Sequence, residues 1–121
     1  MHILLIAVGS ILLSVAAQFF LKLGMSSAEV KQALAQPMTW RLPWVVSMNK
    51  FVVLGFGLYG IGAVVWLKVL SAWDVSKAYP LVGLGFAVTV LIGMLMGENV
   101  TGLRVLGVLL ICEGVWLVAN S

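Results

Sequence analysis

From Ala78 to Gly97 the sequence carries no charged side chain. About 20 apolar residues cross a bilayer as a helix, and within the hydrocarbon the backbone must satisfy its own hydrogen bonds. This run is therefore predicted to be a membrane helix. Gly85, Thr89, Gly93 and Gly97 recur at every fourth position, which places small residues along one face and lets another helix approach closely. Ser76-Lys77-Ala78-Tyr79-Pro80 sets a cation, a phenol and a proline at the mouth of the run. Pro80 is expected in a first helical turn, where a missing N–H costs little, or at a kink if the helix begins back at Asp74.

Three further runs share this character, from about Ile3 to Leu23, Phe51 to Leu70 and Leu103 to Ala119, with the first run bounded at about 78–96. Hydrophobic residues make up 63% of the 121-residue chain and charged residues 9%, against about 45–50% and about 25% in soluble domains. The predicted fold is an all-α membrane protein, a single domain of four transmembrane helices over residues 1–121. The amino-terminal run is long and lacks a preceding Lys or Arg, so it is read as a lasting span rather than a cleaved signal. The net charge of +3 is spread between the runs. It reads as membrane topology, not as a nucleic-acid surface. Lys22, Lys31, Arg41, Lys50 and Arg104 fall on one side and Lys68 and Lys77 on the other, which favours both termini outside the cytoplasm. Cys112 is the lone cysteine, so no internal disulfide is expected. No strand pattern, metal-ligand cluster, nucleotide-binding glycine loop or hydrolytic triad is present, and neither an enzyme nor a cofactor is expected. His2 is read as a surface residue.

Polar residues are few enough to be placed one by one. Ser10, Ser14, Gln18 and Lys22 lie four apart and form one stripe on the first span. Lipid cannot satisfy such a stripe, so it must face protein or a wet cavity. Gly55, Tyr59, Gly62 and Trp66 share a face of the second span. The connection over residues 24–50 is the long polar segment. Ser26 and Glu29 have capping-box spacing, which predicts a short helix to about Gln36, stopped before Pro37. Trp40 and Trp44 are of the kind that sits at headgroup level, so the segment is expected to lie on the membrane surface. Gly97-Glu98-Asn99-Val100-Thr101-Gly102 is a tight polar turn; its Asn-Val-Thr matches a glycosylation sequon and reads equally as an ordinary turn. Glu113 lies about 15 Å along the fourth span at the standard helical rise. A charged carboxyl at that depth costs several kcal/mol unless paired, so Glu113 is expected to serve either transport or a contact with a neighbouring helix.

These residues carry a resemblance. Four short spans, Lys22 closing the first and Tyr79 entering the third resemble the small-multidrug-resistance branch of the drug/metabolite transporter superfamily, which includes EamA-like proteins. Leu12-Leu13-Ser14-Val15-Ala16-Ala17-Gln18, Trp66-Leu67-Lys68-Val69-Leu70, Ser76-Lys77-Ala78-Tyr79-Pro80, and Gly97-Glu98 followed by Arg104-Val105-Leu106-Gly107 are most similar to the small subunits of aminoarabinose–undecaprenyl-phosphate flippases. The resemblance covers nearly the whole chain except the loop from Ser26 to Lys50. The drug exporters resemble one another in a membrane-embedded Glu in the first span. Aligned on Leu13 and Lys22, that position here is Ser14, which does not titrate near neutral pH.

The resemblance implies a flippase subunit in a bacterial inner membrane, moving an undecaprenyl-phosphate-linked sugar for cell-envelope modification. Its working unit is expected to be a homodimer or a heterodimer with a related small subunit, because one four-helix chain corresponds to a single repeat of larger transporters. Such a task needs a polar groove open sideways to lipid and cations for the phosphate. Lys22 and Arg104 at one face and Lys68 and Lys77 at the other are the candidates. Ser14 and Gln18 are expected to line the path, Trp66 and Tyr79 to stack on the sugar, and Glu113 to meet its hydroxyl or amino groups. The alternatives are an exporter of a small molecule or cation on the same fold, and a non-transporting membrane subunit of a glycosyltransferase.

Overall fold

The computed structural model describes residues 2–37 and 40–121. Four helical stretches are long and apolar enough to cross a membrane: His2–Met25, Lys50–Ala72, Val75–Leu95 and Gly102–Ala119. The first two are helices α1 and α4; α7 is the last. The third is composite. A single turn, α5 (Val75–Ala78), passes through a 3₁₀ turn (Tyr79–Val82) into α6 (Gly83–Leu95). Pro80 lies in that tighter turn. Proline has no N–H for the usual bond to the carbonyl four residues back, and the local i→i+3 geometry absorbs the loss.

Two short helices, α2 (Ala28–Leu34) and α3 (Arg41–Met48), fill the connection between α1 and α4. The N-cap of α2 is Ser27 rather than Ser26: the Val30 N–H donates to Ser27 Oγ at 3.4 Å. The expected box between Ser26 and Glu29 is therefore not formed: with Ser27 as cap, the third helical residue is Val30, which has no side-chain acceptor. Helix α2 ends at Leu34, two residues short of the predicted stop. Helix α3 was not expected from the sequence; its Pro43 falls at the third helical position, where no intrahelical N–H is missed. Met38 and Thr39, within this connection, lie outside the described residues. Asn49 joins the pieces. Its Oδ1 accepts from the Phe51 and Val52 N–H groups and caps α4, while its Nδ2 donates to Ser27 Oγ at 3.1 Å.

Helix α4 packs along α1 over most of its length, whereas α6 rests on another side of α1 and α7 mainly on α6. The core is made of small and branched apolar side chains: Ala7, Ile11 and Val15 of α1, Val69 of α4, Ala78 and Leu81 of the composite span, and Val115 of α7. Glycine makes the α1–α4 contact close. A Cβ on Gly55 would stand 2.7 Å from Leu21 Cγ and 3.1 Å from the Ala17 carbonyl oxygen. At the far end of α6, Gly97 adopts φ +88°. That left-handed residue lets Glu98 N–H bond to the Gly93 carbonyl (2.9 Å) and Gly97 N–H to the Met94 carbonyl (3.2 Å), closing the helix. Thr101 Oγ1 then accepts from Arg104 N–H and starts α7, so the sequon falls in a capping turn.

The packing generates a paired test. Gly57 has no neighbour within 4 Å of a Cβ position. Valine costs the same helix propensity at either site, so Gly55→Val is expected to be less stable than Gly57→Val by about 1–3 kcal/mol, the usual range for overpacking. Unfolding in mixed micelles measures the difference; equal stabilities would show that α1 and α4 do not meet here.

Candidate functional site

Because α4 and α6 lie on different sides of α1, a cleft of about 490 Å³ opens between them. Helix α1 contributes Ser10, Ser14 and Gln18, three of the four members of the polar stripe. From α4 come Tyr59, Gly62 and Trp66, spaced so that all three share one face. Tyr79 enters from the 3₁₀ turn, and Phe86 and Thr89 from α6. Tyr79 is 67% exposed and Phe86 52% exposed, so this wall of the cleft is open to the side of the bundle.

Hydrogen bonds hold the polar floor. Ser10, 2% exposed, donates through Oγ to the Gly62 carbonyl at 2.7 Å and ties α1 to α4. Ser14 Oγ donates back to the Ser10 carbonyl at 3.2 Å, and Thr89 Oγ1 to the Gly85 carbonyl at 2.7 Å. Gln18 Nε2 donates to Tyr59 Oη and bridges the two helices again. Among the described residues no buried side-chain nitrogen or oxygen is left without a partner.

Of the nine residues singled out from the sequence, the cleft brings together Ser14, Gln18, Trp66 and Tyr79. The cations are elsewhere. Lys22 is exposed in the last turn of α1. Arg104 is folded over the preceding turn, its Nη1 donating to the Asn99 carbonyl at 3.2 Å. Lys68 is exposed near the end of α4. Lys77 Nζ sits 4.6 Å from the centre of the Trp73 ring. Connectivity puts Lys22 and Arg104 at one end of the bundle and Lys68 and Lys77 at the other. Glu113 is exposed on α7, two residues from buried Val115 and so on nearly the opposite side of the helix. Tyr59, Phe86 and Thr89 were missed as site residues. For Tyr59 the signal was present, since it shares a face with Trp66; Thr89 was read only as a packing residue.

Four apolar helices, with an uncharged cleft opening between two of them over a polar stripe, define a multi-pass membrane protein. The chain is 30% identical over 121 residues to a Proteus mirabilis protein, covering 95% of this chain and 90% of the relative, named "probable 4-amino-4-deoxy-L-arabinose-phosphoundecaprenol flippase subunit ArnF". A Photorhabdus laumondii protein of the same name is 32% identical over 118 residues, covering 92% of this chain and 91% of the relative. The corresponding ArnE subunit of Pseudomonas savastanoi pv. phaseolicola is 41% identical over 64 residues, covering 52% of this chain and 56% of the relative. No family model and no solved structure matches. The chain belongs to the family of small ArnE/ArnF flippase subunits. These relatives are named for transport rather than for catalysis.

The floor of the cleft can be tested directly. Ser10→Ala removes the bond to Gly62 and is expected to lower unfolding stability by about 0.6 kcal/mol, the average for hydrogen bonds between membrane helices, and by no more than about 1.7 kcal/mol. Ser14→Ala removes a bond within α1 only, and is expected to change stability by less. Calorimetry or denaturant titration in one detergent compares the two.

Proposed function

We propose that this protein is a subunit of an inner-membrane flippase that carries an undecaprenyl-phosphate-linked sugar across the bilayer. The observation that carries the reading is the cleft: polar along α1, aromatic along α4 and α6, and open sideways, in a chain whose relatives bear that name. No bond is made or broken in such a task. The sugar enters the cleft, the lipid tail stays in hydrocarbon, and the headgroup moves between the two ends of the bundle. Ser14, Gln18 and Thr89 supply hydrogen bonds along this path, and the faces of Trp66 and Tyr79 lie against the ring. The phosphate is met at the ends, by Lys22 and Arg104 on one side and by Lys68 and Lys77 on the other, where the charge keeps contact with water. The two short helices between α1 and α4 lie on the membrane surface, anchored by Trp40, which is 92% exposed, and Trp44. The chain forms a single transmembrane domain.

The working unit is a dimer with a second copy or a related small subunit, joined through α7. Only 6% of that helix's spanning window is buried within the chain. A Cβ on Gly107 or Gly114 would meet nothing within 4 Å, unlike Gly83 and Gly85 of α6, which pack against side chains of α7 and α1. Glu113 stands among exposed Leu106, Leu109, Leu110 and Leu117. A carboxyl facing lipid costs several kcal/mol, which a partner helix offering a hydrogen bond relieves.

Two experiments test this reading. In vesicles holding the protein with its partner, the lipid-linked aminoarabinose is expected to cross, and Trp66→Ala to reduce the rate by about tenfold or more, the scale of a lost aromatic contact. No transport by the reconstituted pair would refute the flippase assignment. In a Cys112→Ser background, single cysteines at Gly107 or Gly114, which no group of the chain itself approaches, are expected to crosslink to the partner in native membranes, and a cysteine at Gly57 is not. A protein that stays monomeric and still transports overturns the dimer. Glu113→Gln is expected to lower transport while leaving the fold intact by circular dichroism; full activity would confine Glu113 to a passive position.

A further inference from the structure

Resting on the flippase reading, we infer that the cleft recognises the sugar as a neutral, hydroxylated ring and does not distinguish an amino sugar from its hydroxyl counterpart. No residue lining the cleft carries a carboxylate or a cation. The chain's four acids are all placed elsewhere. Glu29 lies in the first turn of α2, and Asp74 precedes α5. The Glu98 carboxylate lies over Gly93 at the closing turn of α6, and Glu113 is exposed on α7.

The hydrogen-bonding capacity left in the cleft points the same way. Ser14 and Thr89 spend their protons on backbone carbonyls, so their oxygens remain as acceptors. Gln18 uses one N–H on Tyr59 and keeps its second N–H and its carbonyl oxygen. Tyr59 accepts that bond and keeps its proton; Tyr79 and Trp66 keep their donors. The cleft thus offers acceptors along α1 and α6 and donors from Gln18 and the aromatic side chains. A sugar hydroxyl is both donor and acceptor and uses both sets. A neutral amine is likewise donor and acceptor and uses both sets in the same way, and no carboxylate lines the cleft to favour its ammonium form. A phosphate only accepts, which leaves half of the set unused. Trp66, Tyr59 and Tyr79 also present apolar ring faces suited to the C–H faces of a sugar ring.

The test uses the full chain with its partner in nanodiscs. It compares undecaprenyl phosphate carrying 4-amino-4-deoxy-L-arabinose, carrying L-arabinose, and carrying no sugar, with affinity read by native mass spectrometry. The two sugar lipids are expected to bind within about tenfold of each other, since a charge-assisted hydrogen bond to the amine would exceed that ratio. Both are expected to bind more tightly than the bare lipid. A preference of tenfold or more for either sugar lipid over the other overturns the inference while the flippase reading stands. If neither sugar lipid binds better than undecaprenyl phosphate alone, the flippase reading itself falls, and this inference with it. Tyr79→Phe supplies a second measurement: it is expected to weaken both sugar lipids by a similar factor of about 2–12, the usual net worth of one hydrogen bond, and to leave the bare lipid unchanged. A loss confined to the amino sugar contradicts the inference.

Discussion

The close packing of α4 on α1 is the contact on which the rest of the molecule depends. Gly55 lets Leu21 and the Ala17 backbone come near, Gly24 does the same for Val52, and Ser10 bonds to the Gly62 carbonyl. In a bilayer no hydrophobic effect drives helices together, so association rests on van der Waals fit and hydrogen bonds between them. Gly24 and Gly55 supply the fit, and Ser10 supplies a bond that lipid cannot replace. Once α4 is committed to one side of α1, α6 takes another side, with Gly85 against Ile11 and Val15. The space between α4 and α6 is what remains, and the stripe on α1 forms its floor.

The stripe therefore does two kinds of work along one helix. Ser10, at the buried end, is consumed by structure. Ser14 is half committed, because its proton is used and its oxygen is not. Gln18 is exposed and bonds to an exposed tyrosine, so it marks the end where the cleft meets its surroundings. The gradient is one of exposure, from buried Ser10 to exposed Gln18. A membrane protein can thus build a polar path without burying an unpaired group, since each polar side chain is satisfied locally and keeps one valence for a guest.

Most of this was legible in the residues. The four spans were visible as charge-poor runs, and the stripe and the Tyr59–Trp66 face came from helical spacing alone. What spacing does not give is which faces meet. Thr89 shares a face with Gly85 and Gly93, which suggested packing, yet those glycines pack against α1 and the Glu98 turn while Thr89 borders the cleft. The position of the cations was also hidden. Lys77 is next to the motif at the mouth of the third span, but its stem curls back so that the ammonium sits over Trp73. Capping slipped by one residue because Ser26 and Ser27 are chemically equivalent; the choice falls to Ser27 through its tertiary bond from Asn49, which no local pattern encodes.

Under the proposed function, the separation of charge from the cleft has a mechanical consequence. A lipid phosphate held at a cationic mouth keeps part of its hydration, and its attraction to the protein is made in a region of high dielectric, where it is weak. The sugar, by contrast, exchanges water for cleft groups one hydrogen bond at a time, at little net gain per bond. Neither interaction is strong enough to trap the headgroup at one depth, and a translocating path must avoid such a trap. A carboxylate or lysine at mid-cleft would bind more tightly and hold the substrate there. Placing Glu113 on the outer face of α7 and the cations at the ends keeps the central path shallow in energy, so that the cost of crossing falls on the phosphate alone. Lowering that remaining cost calls for polar groups beyond this chain's own cleft, and a second subunit beside it is the source the exposed face of α7 makes available.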